Sequence, residues 1–417
     1  MSRRAPAAPR PSLHCTQGAC GSGGDQPRPD DGEAVTLRVL DGVSAADPAA
    51  WDACAGPSDP FISHAFLDTL ETSGSACAEQ GWRPQHLALE AGDGALLGVV
   101  PLYLKSHSYG EYVFDWAWAD AYERAGGRYY PKLQASVPFT PVAGRRLLIR
   151  PGAECETTKA TLIAGLIEIA RRSGVSSLHV TFPTEAEWQA LGSAGFLLRK
   201  GRQYHFANPG YRDFDEFLGT LTSRKRKMIR KERAKVADSG IAIRTLSGPE
   251  IEPRHWDAFY RFYMATADRK WGNPYLTRAF FHLLGERMAD RVALVLAEDQ
   301  GRPVAGALNL IGDEALYGRN WGCLGDYRFL HFEVCYYRAI DFAIARGLPR
   351  VEAGAQGEHK IHRGYMPVET YSAHWIADPN FRDAVARFLE HERREVQAEI
   401  EILSDYGPFR RETPASE

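Results

Sequence analysis

No run of apolar residues approaches the roughly 18 that a membrane-crossing helix needs, so no insertion into a bilayer is expected. The seven cysteines (15, 20, 54, 77, 155, 323 and 335) contain no C-x-x-C pair. Their odd number and wide spacing argue against a disulfide framework or a zinc ribbon, and fit a reducing, cytoplasmic setting. The strings G-x-S-x-G, G-x-x-x-x-G-K-[ST], G-x-G-x-x-G and H-E-x-x-H are all missing. Their absence removes the nucleophile-elbow hydrolase, phosphate-loop, dinucleotide and zinc-protease readings. His359 and His362 stand near Glu352 and Glu358 without a metal-protease order, so no metal is expected. The formal net charge of −3 supplies no global field towards DNA or an anionic membrane. A polyanion would have to meet a local patch.

What is present is a 417-residue chain with 44% hydrophobic and 25% charged residues, ordinary for a globular protein. That length suggests two domains of roughly 150 to 200 residues. Residues 1–33 are rich in Pro, Gly, Ser, Ala and Arg, and read as a disordered tail. Order begins with the alternating VTLRVL from Val35. A helix is expected after Pro48, and another over 58–73. LLGVVPLYL (96–104) reads as one apolar strand, 157–173 as an amphipathic helix ending at Gly174, and 176–182 as a strand. A long C-terminal helix follows Asp378 and Pro379, its apolar face made of Phe381, Val385, Phe388, Leu389, Val396 and Ile400.

Two stretches run in register. GLIEIARRSGVSSLHV (165–180) matches RAIDFAIARGLPRVEA (338–353), with Gly174 against Gly347. Upstream, LLGVVPLYL resembles PVAGALNLI (303–311), with Gly98 against Gly306. The first half carries the longer interval between strand and helix, in an insertion over 105–156. We read this as an internal duplication of one α/β unit. An N-terminal domain spans 34–207 and a C-terminal domain 208–417. The join falls near Pro209-Gly210, and Asp213 with Glu216 forms a capping-box pattern after it.

Three constellations could carry chemistry. VEAGAQGEHKIHRGYM (351–366) packs Glu352, Glu358, His359, Lys360 and His362 among Gly354, Gly357 and Gly364. Glycines let a backbone turn and approach a ligand, and the titratable side chains could move protons or bind anions. SRKRKMIRKERAK (223–235) holds eight Lys or Arg and one Glu, and suits phosphate, diphosphate or an RNA backbone. A helix starting at Ser223, Arg224, Lys225 and Arg226 would also offer free backbone N–H groups. The aromatic stretch Tyr109 to Tyr130 interleaves Asp115 with Trp116, Trp118 and Tyr129, and Lys132 follows. Such a mixture suits a cationic or sugar-like ligand. Around the second helix of the repeat stand Tyr317, Arg319, Trp321, His331 and Glu333.

Several strings carry a resemblance: DPFISHAFLDTLE (59–71), VPLYLKSHSYGEYVFDWAWADAYER (100–124), YYPKLQ (129–134), VPFTPV (137–142), SRKRKMIRKER (223–233), GALNLIG (306–312) and EAGAQGEHKIHRGY (352–365). The chain over about 35–405 resembles the predicted N-acyltransferases called peptidoglycan biosynthesis proteins, within the GNAT-like superfamily. More distantly it is similar to the Fem aminoacyl-tRNA-dependent transferases. The resemblance implies an α/β fold of tandem, duplicated GNAT-like domains, with mixed central sheets flanked by helices and facing a shared cleft. It implies transfer of an acyl group from a thioester or ester donor to the amine of a small or cell-wall-related acceptor. Acyl-CoA would then be a co-substrate, with no cofactor held tightly. The pyrophosphate pattern [Q/R]-x-x-G-x-[G/A] is absent before the helix at 333–346, where the chain reads CLGDYRFLHFEV. An aminoacyl-tRNA donor is the alternative, and a non-catalytic RNA- or nucleotide-sugar-binding protein is the second.

Under the first reading Glu352, Glu358 and His359 are candidate bases. Backbone N–H groups near Leu308 and Leu310 would polarise the acyl carbonyl, as in the superfamily. Ser223, Arg224, Lys225, Arg226 and Lys360 would hold phosphates, and Asp115 would orient the acceptor amine. Trp116, Trp118, Tyr129, Lys132, Tyr317, Arg319, Trp321, His331 and Glu333 would line the substrate site. The counterpart of the 351–366 segment in the first half is LHVTFPT (178–184), which has no Gly, Glu or Lys. That asymmetry places the chemistry in the second half.

Overall fold

The computed structural model describes residues 13–16, 34–153, 155–269 and 274–410. The first repeat opens with β1 (Leu13–Thr16), which pairs antiparallel with β2 (Ala34–Leu40), so a strand lies within the stretch expected to be a tail. Helix α1 (Pro48–Ala55) is capped by Asp47, whose carboxylate accepts from Ala50 N, with Pro48 at the first position. A single turn at Pro60–Ile62 precedes α2 (His64–Thr72), because Ser63 caps a new helix there and splits the expected one. Then come β3 (Trp82–Pro84), β4 (His86–Glu90), β5 (Leu96–Val100) and β6 (Leu102–Lys105). Pro101 removes a ladder donor between β5 and β6, so the single apolar strand of the sequence becomes two. The insertion holds α3 (Trp116–Arg124), β7 (Lys132–Ala135) and β8 (Leu148–Ile149). The repeat closes with α4 (Glu156–Ser173), β9 (Ser177–Thr181), α5 (Glu185–Ser193) and β10 (Leu197–Ala207).

The second repeat begins with α6 (Phe214–Thr220) and the basic α7 (Ser223–Ala237). Asp213 caps α6 through Glu216 N, and Glu216 accepts from Arg212 N. The chain continues through β11 (Ala242–Ser247), α8 (Pro253–Arg269), α9 (Arg278–Met288), β12 (Val292–Asp299), β13 (Arg302–Ile311) and β14 (Ala315–Cys323). One continuous helix, α10, starts at Leu330–Phe332, passes a π-helical turn at Glu333–Tyr337 and ends with Arg338–Arg346. β15 (Arg350–Glu352), β16 (Tyr365–Ile376) and α11 (Pro379–Asp405) complete it. Gly174 and Gly347, the matched glycines, both take left-handed backbone and stop α4 and α10.

The two repeats do not build separate facing sheets. Eleven strands form one sheet in the order β11-β12-β13-β14-β15-β10-β16-β9-β7-β6-β3, and β1-β2-β4-β5-β8 form a second. The last strand of each repeat is inserted into the other: β10 lies between β15 and β16, and β16 lies between β10 and β9. β10 and β16 pair antiparallel from Leu197↔His374 to Phe206↔Tyr365. The largest core also crosses the repeats, joining Trp51 and Phe66 to Phe259, Phe280 and Phe281. Each such ring contributes about 1.5–3 kcal/mol by leaving water, so the halves are bound by core and by ladder together. On α11 the expected apolar face is only partly covered. Val385 and Leu389 are buried, but Phe388 is 49% exposed.

Candidate functional site

Three local features open a cleft of about 1070 Å³ where the repeats meet. The first is a bulge. Leu308 pairs with Asn320 and Asn309 with Gly318, leaving Arg319 as the extra residue on β14. A bulge leaves one residue out of the ladder and turns its backbone groups away from the neighbouring strand. The second is the loop after β15, where Gly354 (φ 74) and Gly357 (φ 93) adopt backbone that side-chain-bearing residues avoid. The third is the π-helical turn of α10, which sets Cys335 and Tyr336 along the cleft; such turns cluster at functional sites. The middles of β10 and β16 and the residues Tyr112 to Phe114 complete the walls.

Glu352 ends β15 just behind the wall, outside the cleft lining, directly before the lining residue Ala353 and opposite Tyr317 in the parallel ladder. It is 4% exposed. Its Oε1 accepts from Arg350 Nε at 3.0 Å, while Oε2 is buried with no hydrogen-bond partner. Burial pushes its carboxyl up to about 7, Arg350 opposing the rise and Asp59 adding to it. A carboxyl tuned near neutrality suits a general base. His359 lines the cleft, and its Nε2 lies 3.1 Å from the Tyr336 hydroxyl. Burial and the cations Arg363 and Lys360 lower its pKa, which keeps the ring neutral. Glu358 is exposed and stands outside the lining.

Lys360 is not free for phosphates. Its ammonium donates to the carbonyls of Ala353 and Gly354 and pins the glycine loop. The single acid of the basic run has a matching task. Glu232 on α7 accepts from both Arg363 Nη2 (2.9 Å to each oxygen) and the Tyr337 hydroxyl, docking the Glu358–Arg363 turn against α7. Along the rest of α7, Arg230 pairs with Asp215 and Arg233 with Asp341 and Glu333. Arg224, Lys225, Arg226, Lys227, Lys231 and Lys235 make no ion pair among the described residues. Thr222 takes the cap position without a side-chain bond, and Ser223 is the first helical residue. Arg226 N already donates to Thr222 O, so the open N–H groups are those before it.

The other sequence candidates divide. Arg319, Trp321 and His331 line the cleft, with the Trp321 and His331 rings 5.2 Å apart. Leu308 lines it too, whereas Leu310 is buried outside it. Tyr317 packs its ring 5.1 Å from Phe61. Glu333 is buried and held by Arg233 and Arg338 at 3.1 and 3.0 Å, a role in anchoring helices.

Asp115, Trp118, Tyr129 and Lys132 lie in a closed cluster in the first repeat, outside the cleft lining. There the Lys132 ammonium donates to Asp115, to Glu111 (2.7 Å) and to Ser108 (2.8 Å). Tyr129 donates to Asp115 at 2.7 Å, and His179 Nδ1 lies 2.7 Å from His374 Nδ1. Burial opposes the charge on Asp115, but Lys132 and His179 outweigh it and hold the carboxyl well below the usual range. Asp115 is occupied and cannot orient an amine in the cleft. Trp116 instead reaches the surface at 38% exposure, its ring 4.8 Å from Tyr109.

Sequence reasoning missed Asn309, Gly318, Tyr336, Tyr263 and Tyr275 in the cleft. For Gly318, beside the bulge, the signal was available in YGRNWG (317–322). The other four carry none before the fold is known.

Among solved structures, the chain is similar to FemX (12% identity, 82% of this chain and 98% of that one, TM-score 0.52). It is also similar to the C-terminal domain of a putative lysylphosphatidylglycerol synthetase from Agrobacterium fabrum (9% identity, 82% and 94% covered, TM-score 0.51). A tandem GNAT protein from the clavulanic acid biosynthesis pathway matches at 11% identity, 83% and 99% covered, TM-score 0.45. No curated protein matches. Among the described residues, no helix is long and apolar enough to cross a membrane. The FemAB-like family model, described as peptidoglycan biosynthesis/recognition, matches residues 42–411, so the chain belongs to the FemAB-like family.

Proposed function

We propose that the chain transfers an acyl group from an activated donor to the amine of a small or cell-wall-related acceptor, within the cleft where the repeats meet. The observation that carries this is Glu352, a buried carboxyl near pKa 7 beside a bulge that frees backbone donors. The amine nitrogen attacks the acyl carbonyl carbon, and its proton passes to Glu352. The bond from that carbon to the leaving sulfur or oxygen breaks. The Tyr336 hydroxyl, held by His359, is placed to give the leaving group a proton. Backbone N–H groups at the Arg319 bulge polarise the carbonyl oxygen, which supports the developing negative charge. Holding donor and amine together supplies much of the rest.

Two donors fit this chemistry, acyl-CoA and aminoacyl-tRNA. The unpaired cations of α7 favour the second as an alternative, since they suit a longer phosphate backbone. The test incubates full-length protein with acetyl-CoA or aminoacyl-tRNA and a panel of amines, including cell-wall peptides. Glu352→Gln should abolish transfer, with rates in the unaltered protein rising through about pH 7. RNase sensitivity of the activity identifies tRNA as donor. Full activity in Glu352→Gln would sink the assignment of the base.

A further inference from the structure

A side chain from the other repeat approaches the unpartnered oxygen of Glu352. In the β10–β15 ladder His205 pairs directly with Glu352. Its Nε2 lies 3.7 Å from Glu352 Oε2, just beyond hydrogen-bond range, and 3.2 Å from Gln203 Oε1. The Gln203 amide nitrogen donates to Pro141 O at 2.6 Å. That bond turns the Gln203 oxygen towards the imidazole, so the facing nitrogen must carry the hydrogen. The network thereby assigns His205 as the Nε2–H tautomer.

We infer that His205 is a positioning residue that moves its Nε2–H from Gln203 Oε1 to Glu352 Oε2 when Glu352 ionises. This rests on the reading of Glu352 as the base. A displacement of less than about 1 Å brings the pair into hydrogen-bond range. No proton changes owner at His205. Burial, aided by Arg350 and Lys360, lowers its ring to about 3 and keeps it neutral. It acts as a donor only. The other groups facing Glu352 are Arg350 on its own strand, Tyr317 and Arg319 on β14, and Asp59 before the Pro60–Ile62 turn. Arg350 already serves Oε1, and Asp59 opposes ionisation. Arg319 favours ionisation from a distance, whereas the His205 Nε2 stands 3.7 Å from Oε2. The first repeat thus supplies, through its exchanged strand, a group that sets when the second repeat's base is ready.

The test needs no substrate. The carboxyl stretch of Glu352, identified as the infrared band lost in Glu352→Gln, is followed against pH in full-length protein. The unaltered midpoint should lie near 7. His205→Phe should raise it by about one pH unit or more, the size of a lost hydrogen bond to a charged group. His205→Gln keeps an N–H donor and should stay near the original midpoint. Gln203→Leu frees the imidazole N–H for Glu352 and should lower it. A His205→Phe midpoint equal to the unaltered one, with the protein folded, overturns the proposal. Transfer activity separates the two readings. If Glu352→Gln stays active while His205→Phe shifts the band, the base assignment fails and the pairing stands. If Glu352→Gln is dead and no shift appears, only the pairing fails.

Discussion

Glu352 and His179 occupy the same place in the two repeats. Each lies on the strand after the helix closed by a matched glycine, and each pairs with a histidine from the other repeat's exchanged strand. Glu352 faces His205, and His179 faces His374. Beyond that the two places differ. Around His179 every neighbour is sealed: burial lowers the ring to about 3, and Ser177, Tyr129 and His374 surround it. Around Glu352 a glycine loop and a bulge leave space beside the wall. A duplicated scaffold can therefore seal one polar position inside a full set of partners and leave its twin, equally buried, with an unpartnered oxygen beside a cleft. Connectors and strand register decide which, more than the polar residue itself.

The comparison is most easily broken at the sealed position. Lys132→Met leaves buried Asp115 without its ammonium, and Glu111 with only Lys105 at 4.0 Å, and should cost about 3–5 kcal/mol in urea unfolding. His179→Gln should reduce stability but leave the transfer rate unchanged, whereas Glu352→Gln should lower kcat/KM by about 100-fold or more in steady-state assays. A rate loss for His179→Gln equal to that of Glu352→Gln would erase the distinction. Burial raises the carboxyls of both Glu352 and Glu111 to about 7. The stability tied to them is complete below the ordinary carboxylate range and is lost as pH rises through about 7. Melting temperature should therefore fall across that interval, and less so in Glu352→Gln. Gly357→Ala forces strained backbone, and the added carbon meets the His359 ring at 2.4 Å. A loss of about 1–3 kcal/mol is expected, read by thermal unfolding. The smallest expected effect is on α7. Charge reversal at Arg224 and Lys227 should weaken donor binding about tenfold at low salt and less at high salt, measured by titration.

The duplication was legible because Gly174 and Gly347 obey a local rule: a helix ending in left-handed backbone selects glycine. Gly354, Gly357 and Gly364 were legible for the same reason, all with positive φ. The exchange of β10 and β16 was not. A strand's alternation records that it has two faces, not which chain segment lies beside it. Charge placement was likewise hidden. Lys360 turns inward to carbonyls and Arg363 to Glu232, while six of the eight cations of α7 make no ion pair among the described residues, and only the packing of the turn on α7 separates them. The aromatic stretch divides between a sealed interior at Trp118 and Tyr129 and an exposed rim at Tyr109 and Phe114. Its composition is the same throughout.

The exchanged strands also constrain how the chain is made. His179 meets its partner 195 residues later in the sequence. At translation rates of about 5–20 residues per second, β9 waits roughly 10 to 40 seconds for β16 to emerge from the ribosome. Throughout that interval an unpaired strand edge and the future core beneath it are open to other nascent chains. The first half cannot finish folding on its own schedule, so this protein should depend on holding chaperones during synthesis more than its size alone would suggest.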